Sequence, residues 1–322
     1  MKKIELHCHL EGAAPPDFIR QKAAAKKREL GDIFDEKGNY RWVDFADFLE
    51  TYGKASAMLE TPEDFRDLVE EVLRHSAEHG VIYQELFIAP DIYADGDPGA
   101  FPDYLAAMRE GAEAAKAAHG IETRLISTII RNFGAERARK TAALSARYAD
   151  DFMTGFGMGG EERMYEMKDF AMAFDEAREA GLGITVHAGE WRGAPEVAAA
   201  LDHIRPARIG HGVRAIEEDD LVKRIADEGV VLEVNPVSNI VLGVFPTMAQ
   251  HPIQKLREAG VKVTVSTDDP PYFDTTMSRE YRELGETFGW EEEDFREINL
   301  NAIDAAFCDE ATKARLRKEF SS

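Results

Sequence analysis

Short β-branched runs alternate with longer stretches of helical period along the whole chain, and the alternation can be counted eight times. Strands are expected over residues 3–8, 82–89, 124–130, 152–157, 184–187, 207–210, 230–235 and 261–267. Several are near-continuous apolar runs, as parallel strands covered on both faces should be. Between them, Thr61-Pro62-Glu63-Asp64 reads as a helix start, with a capping threonine, a first-turn proline and early acids. Phe65, Leu68, Val69, Val72 and Leu73 then recur on one face as far as Gly80. Residues 101–119, 135–149, 162–180, 193–204, 218–228 and 248–259 carry the same period. Strand then helix, eight times over, is the pattern of an α/β fold of the parallel (β/α)8 barrel type. An open doubly wound sheet competes with it, but would gather functional residues at one switch point. The candidates below are spread over many strand ends.

A length of 322 residues would allow two domains, yet barrels of roughly 250 residues or more commonly form one. No interdomain linker, internal repeat or low-complexity tract stands out, so residues 1–322 are expected to form a single barrel domain. The connection from about residue 16 to 80 is too long for one crossover helix and should place extra helices over the barrel mouth. Within it, Phe45, Phe48, Leu49 and Tyr52 fall at helical spacing, either an ordinary core-facing stripe or, over residues 43–52, an apolar lid on a site.

Charge narrows the partners. The chain has 39 basic and 61 acidic residues, a formal charge of −22, and no basic block. Binding to a nucleic-acid backbone draws on lysine and arginine, so nucleic-acid partners are not expected. The first residues have no apolar run of signal-peptide length, and no 18-residue apolar stretch could span a bilayer. Cys8 and Cys308 are too few for a disulfide framework. The expectation is a cytoplasmic protein with reduced thiols and no membrane partner. Oligomeric state is not legible.

Of nine histidines, His7, His9, His187 and His211 lie at or just beyond strand ends, whereas His75, His79 and His119 sit on helices beside polar residues. His203 and His251 read as structural. His7-Cys8-His9 closes the first strand, so both imidazoles can face the barrel interior while Cys8 faces the helices. The fifth strand ends Thr185-Val186-His187-Ala188-Gly189-Glu190, the sixth Ile209-Gly210-His211-Gly212, and the eighth Val265-Ser266-Thr267-Asp268-Asp269-Pro270. Alone, Asp268-Asp269-Pro270-Pro271 is an ordinary turn with a helix cap. Taken together, two histidines from the first strand, one from the fifth and a carboxylate from the eighth make a nitrogen and oxygen set suited to zinc, with a position left for water.

These four segments, with Glu5-Leu6-His7-Cys8-His9-Leu10-Glu11-Gly12 at their head, resemble the adenosine deaminase family of metal-dependent amidohydrolases, in the right order and over nearly the whole chain. The resemblance implies that His7, His9, His187 and Asp268 hold one zinc ion, Glu190 is the proton donor, His211 stands beside the activated water, and Asp269 contacts purine N7. Gly159-Gly160-Glu161-Glu162 resembles the family's Ala-Gly-Asp-Glu, which implies a backbone N–H from Gly160 to the purine. It also places Phe45, Phe48, Leu49 and Tyr52 on the family's apolar flap. The residues do not choose among zinc, iron and manganese.

Cytidine-type zinc deaminases carry a Pro-Cys-x-x-Cys that is absent here. Two-metal amidohydrolases bridge their ions through a lysine or glutamate at a strand end, whereas the fourth strand ends Gly155-Phe156-Gly157-Met158-Gly159. A barrel that only binds its ligand would have lost a metal ligand or the acid, and all are present. The resemblance thus implies a hydrolase that deaminates a small purine at C6 with a zinc-activated water. Glu11 bears on the substrate, because many adenosine deaminases have aspartate there, reaching the ribose 5′-hydroxyl. Adenosine and 2′-deoxyadenosine are favoured, to give inosine and ammonia, since Ala13-Ala14-Pro15-Pro16 offers small side chains beside Glu11 and the long lid could enclose a nucleoside. Free adenine, or another adenine-containing metabolite, is the alternative.

Overall fold

A computed structural model describes residues 1–321, the side chains of Ala94 and Asp95 aside. Strands β1 (Lys3–His9), β2 (Val81–Ile88), β3 (Glu122–Ile130), β4 (Met153–Gly159), β5 (Gly183–Ala188), β6 (Arg208–His211), β7 (Val231–Val234) and β8 (Val263–Val265) pair in chain order, each parallel to the next. The barrel closes where Cys8 and Asp268 form a parallel bridge. There His9 N donates to Asp268 O at 3.0 Å and Asp268 N to His7 O at 3.1 Å. Deeper in the seam, Ser266 Oγ accepts the N–H groups of Leu6 and His7 at 3.3 and 3.2 Å, so a side chain completes the joint.

Helices α1 (Pro16–Lys26), α2 (Phe45–Ser56) and α3 (Pro62–Glu78) fill the long first connection. The Thr61 cap forms as its sequence predicts: Thr61 Oγ1 accepts Asp64 N, and Asp64 Oδ2 accepts Thr61 N. Then follow α4 (Phe101–His119), α5 (Gly134–Tyr148), α6 (Ala171–Glu179), α7 (Ala194–Ala199) and α8 (Asp219–Glu228). After β7 come α9 (Pro236–Val241) and α10 (Ile253–Glu258), and after β8 come α11 (Pro270–Phe273), α12 (Met277–Phe288), α13 (Glu292–Ala305) and α14 (Glu310–Lys318).

Strand parity on β1 sorts side chains as expected. Ile4 and Leu6 pack outward with Ala302 and Ile303 of α13, and Cys8 is buried in the helix layer. Three helical expectations need correction. The stretch 248–259 is α-helical only over Ile253–Glu258, after a short turn over Met248–Gln250. The stretch 162–180 becomes helical only at Ala171, after a short turn over Met167–Phe170. The buried Arg131 guanidinium takes the carbonyls of Met164 and Tyr165, and Tyr165 has φ 59°, which holds this segment as a loop. The stretch 193–204 is α-helical only over Ala194–Ala199 and ends in a wider turn over Ala200–Ile204.

Candidate active site

Every predicted site residue is found at the C-terminal mouth of the barrel, where strand ends from all sides converge. His9 Nε2 lies 3.2 Å from His187 Nε2 and 3.4 Å from Asp268 Oδ1, and His7 Nε2 is also 3.4 Å from Asp268 Oδ1. Tetrahedral ligands about 2.0–2.1 Å from one zinc stand roughly 3.3–3.4 Å apart, the spacing these three contacts show. Among the described residues, the four whose donor atoms all lie within 4.8 Å of one another are His7, His187, His211 and Asp268, while His9 groups with Asp268 and Asp269, so His211 stands as close to such an ion as the predicted ligands do. Among the described residues, His7 Nε2 is buried without a hydrogen-bond partner, the state of an atom aimed at a ligand. Burial and the neighbouring imidazoles push His187 well below the usual histidine range, which leaves its ring neutral with a lone pair to give. At Asp268, burial alone would raise the pKa, but His7 and His9 outweigh it and hold the carboxylate well below its usual range.

Two of these positions are bought with backbone strain, at about 1–3 kcal/mol each: His211 has φ 59° and Asp268 φ 69°, in the left-handed region. Glycines make the room. A Cβ on Gly210 would stand 2.8 Å from His7 Cε1, and one on Gly12 only 1.6 Å from Asp269 Oδ1. The close approach of Asp269 therefore requires Gly12.

Around the donors lies a cavity of about 260 Å³, lined among others by Glu11, Phe45, Phe48, Leu49, Tyr52, Gly160, Glu190, His211 and Asp269. Helix α2 forms its roof. Phe45 meets the Trp191 ring at 4.8 Å, while Phe48 and Tyr52 meet Tyr272 at 5.4 and 5.7 Å. Glu190 Oε2 is 3.7 Å from His211 Nε2. Burial, then the nearby charges of Asp268 and Glu162, push Glu190 well above the ordinary carboxylate range, and burial with Asp268 does the same to Asp269.

Sequence reasoning passes over the groups that hold these side chains. Glu233 Oε2 is 2.8 Å from His7 Nδ1 and orients that ring, and the fully buried Arg208 lies 2.5 Å from Glu233 Oε1. Ser238 Oγ donates to Asp268 Oδ2 at 2.7 Å. Glu162 accepts the backbone N–H groups of Glu190, Trp191 and Arg192 at 3.1, 2.9 and 2.7 Å, clamping the loop that carries Glu190. Tyr93 donates to Glu11 Oε1 at 2.5 Å. An acid between Leu232 and Val234, or an arginine opening β6, is a signal in retrospect, since a charge inside an apolar strand is costly unless paired.

Donors of this kind on one barrel mouth characterise hydrolases that use a divalent metal, and this chain is such an enzyme. The profile of the adenosine deaminase family matches residues 2–322, and the chain belongs to that family. It is 52% identical over 316 residues to the adenine deaminase of Chelativorans sp. (strain BNC1), covering 98% of this chain and 96% of the relative. It is 51% identical over 317 residues to the adenine deaminase of Rhizobium rhizogenes, covering 98% of each. Among solved structures, an adenine deaminase from Arthrobacter aurescens superposes with a TM-score of 0.90 at 29% identity, covering 99% of this chain and 98% of that one. An amidohydrolase from Burkholderia ambifaria with bound zinc superposes with a TM-score of 0.85 at 27% identity, covering 100% and 90%. Among the described residues, no helix is long and apolar enough to cross a membrane.

Proposed function

We propose that this protein is an adenine deaminase, which adds water at C6 of the free base and releases ammonia and hypoxanthine. The observation that carries the choice of base over nucleoside is the state of Glu11. Its carboxylate is 2% exposed, and Oε1 is already taken by the Tyr93 hydroxyl and by Ala89 N at 3.3 Å. These bonds pin the Glu11 side chain in the cavity wall, one methylene longer than the aspartate of many adenosine deaminases, where it takes up space a ribose would need. The small side chains that favour adenosine in the sequence do not supply the room: Ala13 and Ala14 are buried in the core and do not line the cavity. The relatives named adenine deaminase agree with this reading.

His7, His9, His187 and Asp268 would hold one divalent ion, zinc by analogy with the Burkholderia ambifaria structure. When bound, the ion acidifies water at neutral pH. Glu190, kept protonated by its surroundings, hands its proton to N1 as attack at C6 breaks the ring's aromaticity. His211 directs the water from the same side. Asp269 keeps a proton and can donate it in a hydrogen bond to N7, while Gly160 offers its N–H to the purine. Phe48, Leu49 and Tyr52 cover the ring and keep bulk water out.

Ammonia release from adenine, adenosine and 2′-deoxyadenosine tests the reading. The expected kcat/KM for adenine exceeds that for either nucleoside by about 100-fold or more. Glu11→Ala should narrow the ratio by about tenfold or more, the scale of a change in pocket size. Adenosine turned over as well as adenine would overturn the choice of substrate and leave the metal site as it is.

A further inference from the structure

We infer that His251 is a positioning residue for the deamination, because through Asn239 it decides which nitrogen of His211 carries the proton. This rests on the role proposed for His211 above. The chain of contacts starts at a group that has no choice. The backbone N–H of Ile253, at the start of α10, can only donate, and it points at His251 Nδ1 from 3.3 Å. The accepting Nδ1 therefore carries no proton, and in the neutral ring the proton sits on Nε2. His251 is 2% exposed, and burial pushes its pKa down to about 3, so the ring is neutral.

His251 Nε2 then donates to Asn239 Oδ1 at 3.1 Å. This fixes the carboxamide, since turning it over would set its NH2 against the N–H of His251. The Asn239 NH2 must face the other way, where it meets His211 Nδ1 at 3.2 Å. Asn235 Nδ2 approaches the same nitrogen at 3.4 Å. With N–H groups directed at it, Nδ1 of His211 is an acceptor, so the proton the ring carries lies on Nε2, the nitrogen 3.7 Å from Glu190 Oε2. His211 thus enters the reaction as a hydrogen-bond donor on the substrate side, with its basic nitrogen turned away.

The test is a pair of measurements on metal-loaded enzyme. Long-range 1H–15N correlation spectra of 15N-histidine-labelled protein distinguish the two tautomers, with the His211 signals identified by their loss in His211→Gln. The wild type should show His211 protonated on Nε2. His251→Phe should lose that preference and lower kcat about 10- to 100-fold, with KM for adenine and metal content little changed, as for loss of an orienting partner. His251→Gln can still accept from Ile253 and donate to Asn239, so it should restore both tautomer and most of kcat. Asn239→Asp offers only acceptors and should move the proton to Nδ1 without changing the space filled. Wild-type protein protonated on Nδ1 would overturn the inference. So would an unchanged tautomer in both Asn239→Asp and His251→Phe, even if kcat fell, because the effect would then be structural. The spectra need no substrate, so a wrong assignment of adenine shows in the substrate panel alone.

Discussion

Replacing Arg208 by methionine is the most informative single perturbation, because two buried acids share that one guanidinium. Arg208 Nε is 2.5 Å from Glu233 Oε1, Nη1 is 2.7 Å from Glu85 Oε2 and also donates to Ala305 O at 3.0 Å, and all three side chains are fully buried. The guanidinium also lies 3.6 Å over the Phe307 ring. Methionine preserves much of the packing, so the loss is electrostatic: Glu85 and Glu233 are left without a cation. Breaking a buried ion pair by removing one partner costs about 3–5 kcal/mol. Against the ~5–15 kcal/mol total of an ordinary protein this is large, but it leaves a folded population to measure. Urea unfolding at pH 7 followed by circular dichroism should show a loss of this size, and Arg208→Met with Glu85→Gln should cost about 1–3 kcal/mol less than the sum of the two single variants. Because Glu233 also orients His7, metal affinity should drop about 10- to 100-fold in Arg208→Met. A loss below about 1 kcal/mol, or strict additivity with Glu85→Gln, would refute the shared-cation account.

Glu190→Gln keeps the shape of the acid but has no proton for N1, so kcat should fall by about 100-fold or more with metal content unchanged; a loss below about threefold would place the proton donor elsewhere. Gly12→Ala puts a methyl group where Asp269 Oδ1 now sits, and kcat/KM for adenine should fall about 100-fold. Near-normal kinetics would show that Asp269 can move at little cost. Glu280, raised by burial from 4.5 to about 8, keeps in the folded state a proton that the unfolded chain sheds. Its contribution is full below pH 4.5 and is lost as pH rises through about 8. Glu280→Gln, which mimics the protonated form, should therefore gain on the wild type by a few kcal/mol, as an order of magnitude, between pH 5 and pH 8 in parallel urea titrations. A constant difference would contradict the shift.

What was legible in the sequence is what period and position encode. Eight apolar runs separated by helical period define the barrel, and strand parity alone puts His7 and His9 inside with Cys8 outside. The donor residues were visible because histidine and aspartate at strand ends are unusual there and recur in a known order. Their supports were not, because each joins elements far apart in the chain: Glu233 meets His7 across 226 positions, and Arg208 meets Glu85 across the barrel. His251 looks like any buried histidine until Asn239 and Ile253 are placed beside it. The loop after β4 was misread as helix for a similar reason. Its residues have acceptable helical period, and only the buried Arg131, from the end of β3, pulls their carbonyls out of register.

Asp268 and Asp269 show how far a site can be set by surroundings instead of residue type. They are neighbours in the chain and both are nearly fully buried, at 4% and 5% exposed, yet their protons are governed in opposite directions. Asp268, turned by its left-handed backbone toward the imidazoles, keeps its charge well below the usual range, with Ser238 hydrogen-bonded to its second oxygen. Asp269 faces Gly12 and the cavity, and burial, the charge of Asp268 and that of Glu11 keep it protonated. Glu190 is on the same side of this division, for the same reason. A deaminase needs anionic oxygen for its metal and neutral carboxyl groups for the ring nitrogens, which are acceptors until protonated. On the proposed roles the barrel meets both needs by depth and hydrogen bonding: Asp268, bonded to His7 and His9, stays charged, whereas burial and neighbouring acids outweigh the nearby His211 ring at Glu190 and keep its proton. On the roles proposed for them, exchanging the two states at 268 and 269 would leave the metal with a poor ligand and the purine with a repelling charge, so the order of the pair matters as much as its presence.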